Sequence, residues 1–210
     1  MSRKSRVPVF YGRNVARQTQ KRFLSGKKPE SKRIEEHRKA AGDVVCMCYM
    51  VALNDELGIG EKRLERVVNE ANANGDRFAV NKLVLGQEQA KKKLDEELGD
   101  LLPEGFLLPP TKSPRNAREW AMLSEQREAA EIVVKVYSIA AHKILGLGAE
   151  SISRVAAKTK ENFREFGEWA KDGDYYGYKL LARRLSDILG EPVDVEEEAG
   201  SEPIFGKTLI

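Results

Sequence analysis

The chain alternates between apolar stretches of helical spacing and short glycine breaks. Val44 to Leu53 are ten apolar residues in a row. A helix apolar all round is buried on most sides, so a long buried helix is predicted over 34–57. Ile132 to Ala141 form a related run, interrupted by Lys135 and Ser138. It predicts a second long helix over 118–145. Each run ends in a Gly-x-Gly break, Gly58-Ile59-Gly60 and Gly146-Leu147-Gly148. Glycine at such a place supplies a positive φ and stops the helix. Leu64, Val67, Val68 and Ala71 then recur at helical spacing, as do Ile152, Val155 and Ala156. They predict second helices over 61–73 and 149–169. Third helices are expected over 86–99 and 175–189. Strand signals are scarce, and the expected fold class is all-α.

The two halves resemble each other. Tyr49–Val67 and Tyr137–Val155 align at a constant offset of 88 residues. Seven of nineteen positions are identical: Tyr49/Tyr137, Ala52/Ala140, Leu57/Leu145, Gly58/Gly146, Gly60/Gly148, Arg66/Arg154 and Val67/Val155. Average composition predicts about one or two by chance. Arg38–Ala41 matches Arg127–Ala130 after a one-residue gap, and Leu94–Gly99 matches Leu185–Gly190 after a three-residue insertion. The expected organisation is a tandem duplication of a three-helix unit about a pseudo-two-fold axis. The units are placed at 34–101 and 118–190. Neither alone buries much, so the two half-cores are expected to fuse.

Between the units lies a stretch with four prolines, around 102–117. Proline makes it a poor helix. Leu101, Leu102, Phe106, Leu107 and Leu108 make it apolar, so an ordered strap across the body is expected.

Composition adds a bound rather than a function. A chain of 210 residues, 41% hydrophobic and 33% charged, can bury a core. Two cysteines exclude a disulfide framework. No apolar run approaches the ~20 residues of a membrane span, and the basic start lacks a signal peptide's apolar core. An intracellular, cytoplasmic protein without a membrane partner is the expectation.

Charge changes the picture once it is resolved along the chain. The total of +3 divides into a basic arm over 1–33 at +10, a body near −2, and an acidic stretch over 191–202 at −6, followed by Lys207. Blocks of like charge tend to be interaction tails. The arm reads in two ways. It is a phosphate-binding arm, with Arg13, Arg17 and Lys21 on one face of a helix over 9–24 and Arg22 beside them. Or it is a solubilising terminus, or one that folds back on the acidic tail over 191–210.

The glycine breaks carry the more specific chemistry. Leu57–Val67, LGIGEKRLERV, resembles a helix-hairpin-helix turn, and Leu145–Ile152, LGLGAESI, resembles a second. In that family a Gly-hydrophobic-Gly turn joins two helices, and backbone N–H groups at the second helix's start face a DNA phosphate. A helix N-terminus carries unsatisfied donors and about half a positive charge. The resemblance implies donors around Gly58, Gly60 and Lys62, with Arg63 and Arg66 as cationic neighbours. In the second copy it implies Gly146, Gly148 and Arg154. The chain departs from the family at Leu64 and Ile152, where a small residue is usual, and at Glu150, where a cation would be. Without a ligand the same glycines serve as helix stops. The string Ala52–Arg63 is also similar to small phage and prophage proteins with a basic N-terminus. That resemblance implies a viral origin and a host bacterial cell.

Other chemistry is thinly represented. Cys46-x-Cys48 lies in the apolar helix without a second ligand pair, so buried packing is expected. His37 and His142 have no nearby Cys or Ser partner. Asp172-Gly173-Asp174 lacks the remainder of a calcium loop, and Tyr175, Tyr176 and Tyr178 read as packing. No phosphate loop, serine elbow or metalloprotease motif appears. The chain is therefore expected to be non-enzymatic, with no cofactor and no metal. Its expected partner is the nucleic-acid phosphate backbone. The alternative is a host nuclease or defence complex, inhibited by protein–protein binding.

Overall fold

The computed structural model describes residues 30–110 and 113–193. The helix expected over 9–24, with Arg13, Arg17, Lys21 and Arg22, lies outside the described residues, as does most of the acidic tail. The described residues are all-α. The helices are α1 (Glu30–Leu57), α2 (Glu61–Leu85), α3 (Gln87–Leu98), α4 (Ala117–Leu145), α5 (Ala149–Trp169) and α6 (Asp174–Leu189). Short 3₁₀ turns follow α3 at Gly99–Leu101 and α5 at Ala170–Asp172. No helix among the described residues is long and apolar enough to cross a membrane.

Helix bounds follow local chemistry at most ends. Asn116 caps α4, its side chain accepting from Glu119 N at 2.9 Å, which satisfies an orphan donor of the first turn. Gly146 and Gly190 close α4 and α6 in the left-handed region. Four bounds differ from the sequence pattern. α1 begins at Glu30, inside the expected arm, and α4 begins at Ala117, inside the expected strap. The chain after α3 turns as a 3₁₀ helix from Gly99. α2 runs to Leu85 rather than stopping near residue 73. Asn72, Asn74 and Gly75 are weak helix formers, but Asn74 and Gly75 are buried. Asn74 Nδ2 donates to Val136 O at 3.2 Å, and Phe78 buries one turn further on. Tertiary packing overrides propensity there.

The centre is a parallel pair, α1 against α4. Their contacts climb together: Arg38 meets Glu125 and Glu128, Cys46 meets Tyr137 at 2.7 Å, and Tyr49 meets Ser138 at 3.2 Å. Every residue from Val44 to Leu53 is buried, as the apolar run predicts. The Tyr49 and Tyr137 rings meet with centroids 5.5 Å apart. Two buried tyrosines at one seam supply large apolar area while each hydroxyl finds a partner. Burial raises both phenols above the ordinary range, and it pushes the Cys46 thiol up to about 12. Both cysteines are free and buried, so they act as packing groups.

The second helices cross over. α2 packs chiefly on α4, and α5 chiefly on α1. Both run back along those helices. Glu70 lies 3.4 Å from Lys143, while Asn74, further along, donates to Val136 O at 3.2 Å. Arg154 lies 3.9 Å from Glu56, while Asn162, further along, donates to Cys48 O at 3.3 Å. The third helices fill the outer grooves, α3 against α2 and α4, and α6 against α1 and α5. The expected fusion of two half-cores takes the form of an exchange. Each long helix supports the other unit's second and third helices, and one core spans both.

Several contacts recur 88 residues on. Asn74 and Asn162 occupy matched positions, and so do the carbonyls they reach, Cys48 and Val136. Phe78 and Phe166 are matched and buried. The stretch after α3 lies on the body as a strap: Leu102, Phe106 and Leu108 are buried, and Arg127 Nε donates to Leu108 O at 3.1 Å. Leu107, expected among its packing residues, points outward.

Candidate nucleic-acid interface

Because α1 and α4 are parallel, their C-termini share one end of the molecule. Both Gly-x-Gly turns therefore sit at that end. The turns are built alike. Gly58 N donates to Asn54 O at 2.8 Å and Gly146 N to His142 O at 2.9 Å. Gly58 and Gly146 have φ of 61° and 69°, a region a side chain avoids at a cost of about 1 kcal/mol. Asn54 Nδ2 donates to Ile59 O at 3.2 Å, and the matched His142 does the same through Nδ1 to Leu147 O at 2.8 Å. Sequence reading assigned these two residues no role. They fall at the 88-residue offset but differ in type, so an identity comparison passes over them. Extending that comparison past Val67 would have found Asn74/Asn162 and Phe78/Phe166.

The second glycine of each turn behaves differently from the first. Gly60 has φ −91° and ψ −177°, and Gly148 has −84° and 176°. Any residue adopts this extended conformation. A Cβ on either would meet nothing within 4 Å among the described residues. Each precedes a helix whose first turn has no side-chain cap, although Ser or Asp there would satisfy an orphan donor. The fold itself thus asks for glycine at 58 and 146, and not at 60 and 148.

Electrostatics separate the two turns. Lys62, Arg63 and Arg66 are exposed on the first turns of α2, and none forms an ion pair with the described residues. Their counterparts on α5 are Glu150, Ser151 and Arg154. Arg154 is engaged at 3.9 Å by Glu56. Glu61 also opens α2. Beyond the turns, carboxylates and cations pair off. Arg184 bridges Asp55 at 3.0 Å and Glu165 at 2.8 Å. Lys143 holds Glu97 at 2.8 Å, and that hydrogen bond, with Arg77 beside it, keeps the Glu97 carboxyl below its ordinary range.

Of the predicted contacts, Gly58, Gly60, Lys62, Arg63, Arg66, Gly146, Gly148 and Arg154 are brought to one end. Among the described residues no cluster of three or more His, Cys, Asp or Glu could hold a metal. Tyr178 packs edge-on to Phe166 at 5.2 Å, and Lys179 lies over the Tyr175 ring at 4.2 Å. Asp172-Gly173-Asp174 is the junction into α6. Comparison with protein-family models, curated proteins and solved structures returns no match.

Proposed function

We propose that the chain is a non-enzymatic, phage-type nucleic-acid-binding protein. It meets the phosphate backbone with the end that carries the two Gly-x-Gly turns. The observation that carries this reading is the second glycine of each turn. Gly60 and Gly148 are kept where neither backbone conformation nor neighbours require them. An uncapped helix start with no Cβ lets a phosphate approach the N–H groups closely. Lys62, Arg63 and Arg66 supply cations beside the first turn, so α2 contributes more than α5. The basic arm adds affinity without base choice.

Titration of the full chain with labelled duplex DNA between 50 and 200 mM salt tests this. Affinity should fall with salt, and neutralising Lys62, Arg63 and Arg66 together should flatten the log–log slope by about 2–3. Gly60→Ser with Gly148→Ser should keep or slightly raise stability while weakening binding. Gly58→Ala should instead cost about 1 kcal/mol of stability. Absence of binding at low salt sinks the proposal. A host nuclease complex, bound as protein, is the rival partner, and the exposed apolar end of α2 favours it. A pull-down whose capture survives nuclease treatment would support the rival.

A further inference from the structure

α2 has an outward stripe of two characters. Lys62, Arg66, Ala73, Val80 and Val84 are exposed and spaced by four- and seven-residue steps, so they share one face. That face lies opposite the buried Leu64, Val67, Ala71 and Phe78. It begins cationic and ends apolar, where Val80 is 58% exposed and Leu83 and Val84 are 74% exposed. The matched positions of α5 and its 3₁₀ turn carry Glu168, Lys171 and Asp172 instead.

The chain after α6 sets out as the strap does after α3. Gly99 and Gly190 both take positive φ at the helix end. Three residues on, Leu102 is buried and Val193 packs against the core, its N–H donating to Ser186 Oγ at 2.9 Å. The strap then travels back along the second helix of the other unit: Lys160 of α5 lies 5.3 Å from the Phe106 ring centroid.

We propose that residues 194–210 form a second strap along α2. Their order of chemistry matches the stripe. Asp194, Glu196, Glu197 and Glu198 come first, and Ile204 and Phe205 follow. Phe205 is fifteen residues beyond Gly190, an extended reach of up to about 50 Å, more than the roughly 35 Å of helix from Glu61 to Val84. Arg184 of α6 bridges Asp55 near the first turn, so the tail sets out from the end where α2 begins and is long enough for Phe205 to reach Leu83 and Val84. The acidic run lies nearer the start of α2, toward Lys62 and Arg66. The basic arm is the wrong sign for this face. The inference does not depend on phosphate binding; where both hold, the tail and a phosphate compete for Lys62 and Arg66.

Cross-linking in the full-length chain tests it. Val84→Cys with Phe205→Cys should form an intramolecular disulfide on mild oxidation, since a disulfide needs Cα atoms within about 7 Å. Arg164→Cys with Phe205→Cys, on the exposed face of α5, should not. Removing 194–210 should lower Tm by about 2–4 °C, and Leu83→Asp should lower Tm in the full chain but not in the truncated one. Equal cross-linking at both sites overturns the proposal, as does an unchanged Tm on truncation. Cross-linked dimers that grow with protein concentration also overturn it, because a second copy would then be the occupant.

Discussion

The two units share their inner contacts and differ on their surfaces. Asn74 and Asn162 reach matched carbonyls, Asn54 and His142 close matched turns, and Tyr49 faces Tyr137. On the outside, Lys62 and Arg63 stand where the other unit has Glu150 and Ser151, and Val80 and Val84 where it has Glu168 and Asp172. Packing constrains inner positions because interiors are close-packed and buried polar groups need partners. Surface positions are free to specialise. The outer faces of the two second helices are one place where the units have diverged.

Inner equivalence can be broken first at the seam. Tyr49→Ala and Tyr137→Ala should each cost about 3–5 kcal/mol in urea denaturation. The double variant should lose less than the sum, because the rings touch. A large inequality between the two would show that the seam is not shared evenly.

A charged pair of positions sharpens the comparison next. Asp43 and Glu131 are matched at 88 residues. Glu131 meets Lys135 at 2.6 Å, whereas Asp43 has a buried Oδ1 without a hydrogen-bond partner among the described residues. Burial raises the Asp43 carboxyl to about 7, with Lys39 opposing. A carboxyl whose folded pKa lies above its unfolded value binds more protons in the native state, so stability falls as pH rises from about 4 to about 7. Asp43→Asn should therefore be near neutral at pH 4 and stabilise by about 2–4 kcal/mol at pH 8. Glu131→Gln should change stability by at most about 1 kcal/mol. Denaturation at the two pH values checks both.

The asparagines give the smallest contrast. Asn74 Oδ1 accepts from Arg77, and Asn162 Oδ1 is buried without a partner among the described residues. Asn74→Ala should cost about 1–2 kcal/mol, and Asn162→Ala about 1 kcal/mol less, since removing an unsatisfied acceptor recovers part of the loss. Equal costs would mean that the orphaned oxygen carries no penalty.

Much of this could be read along the chain. The helix stops at Gly58 and Gly146, the buried run Val44–Leu53 and the bounds of α5 follow from local signals. So does the burial of Leu102, Phe106 and Leu108 in the strap. The far end of α2 was not legible, because Asn72, Asn74 and Gly75 argue for a stop unless a partner carbonyl is in reach. Lys62, Arg63 and Arg66 were legible as cations, but their lack of ion pairs with the described residues, unlike Arg154, depends on neighbours distant in sequence. Gly60 and Gly148 looked like ordinary helix stops until their dihedral angles showed that the stop is made by the preceding glycine.

By itself the sequence determined that the chain is helical, where most helices begin and end, and that its halves share an 88-residue spacing. Those properties rest on periodicity and on backbone preferences that act within a few residues. The tertiary structure decided that α1 and α4 run parallel, that the second helices exchange partners, and that both turns meet at one end. Helix direction and partner choice depend on which apolar faces pack together across the whole chain. The short Gly-x-Gly connections are compatible with more than one such packing, so no local signal selects among them.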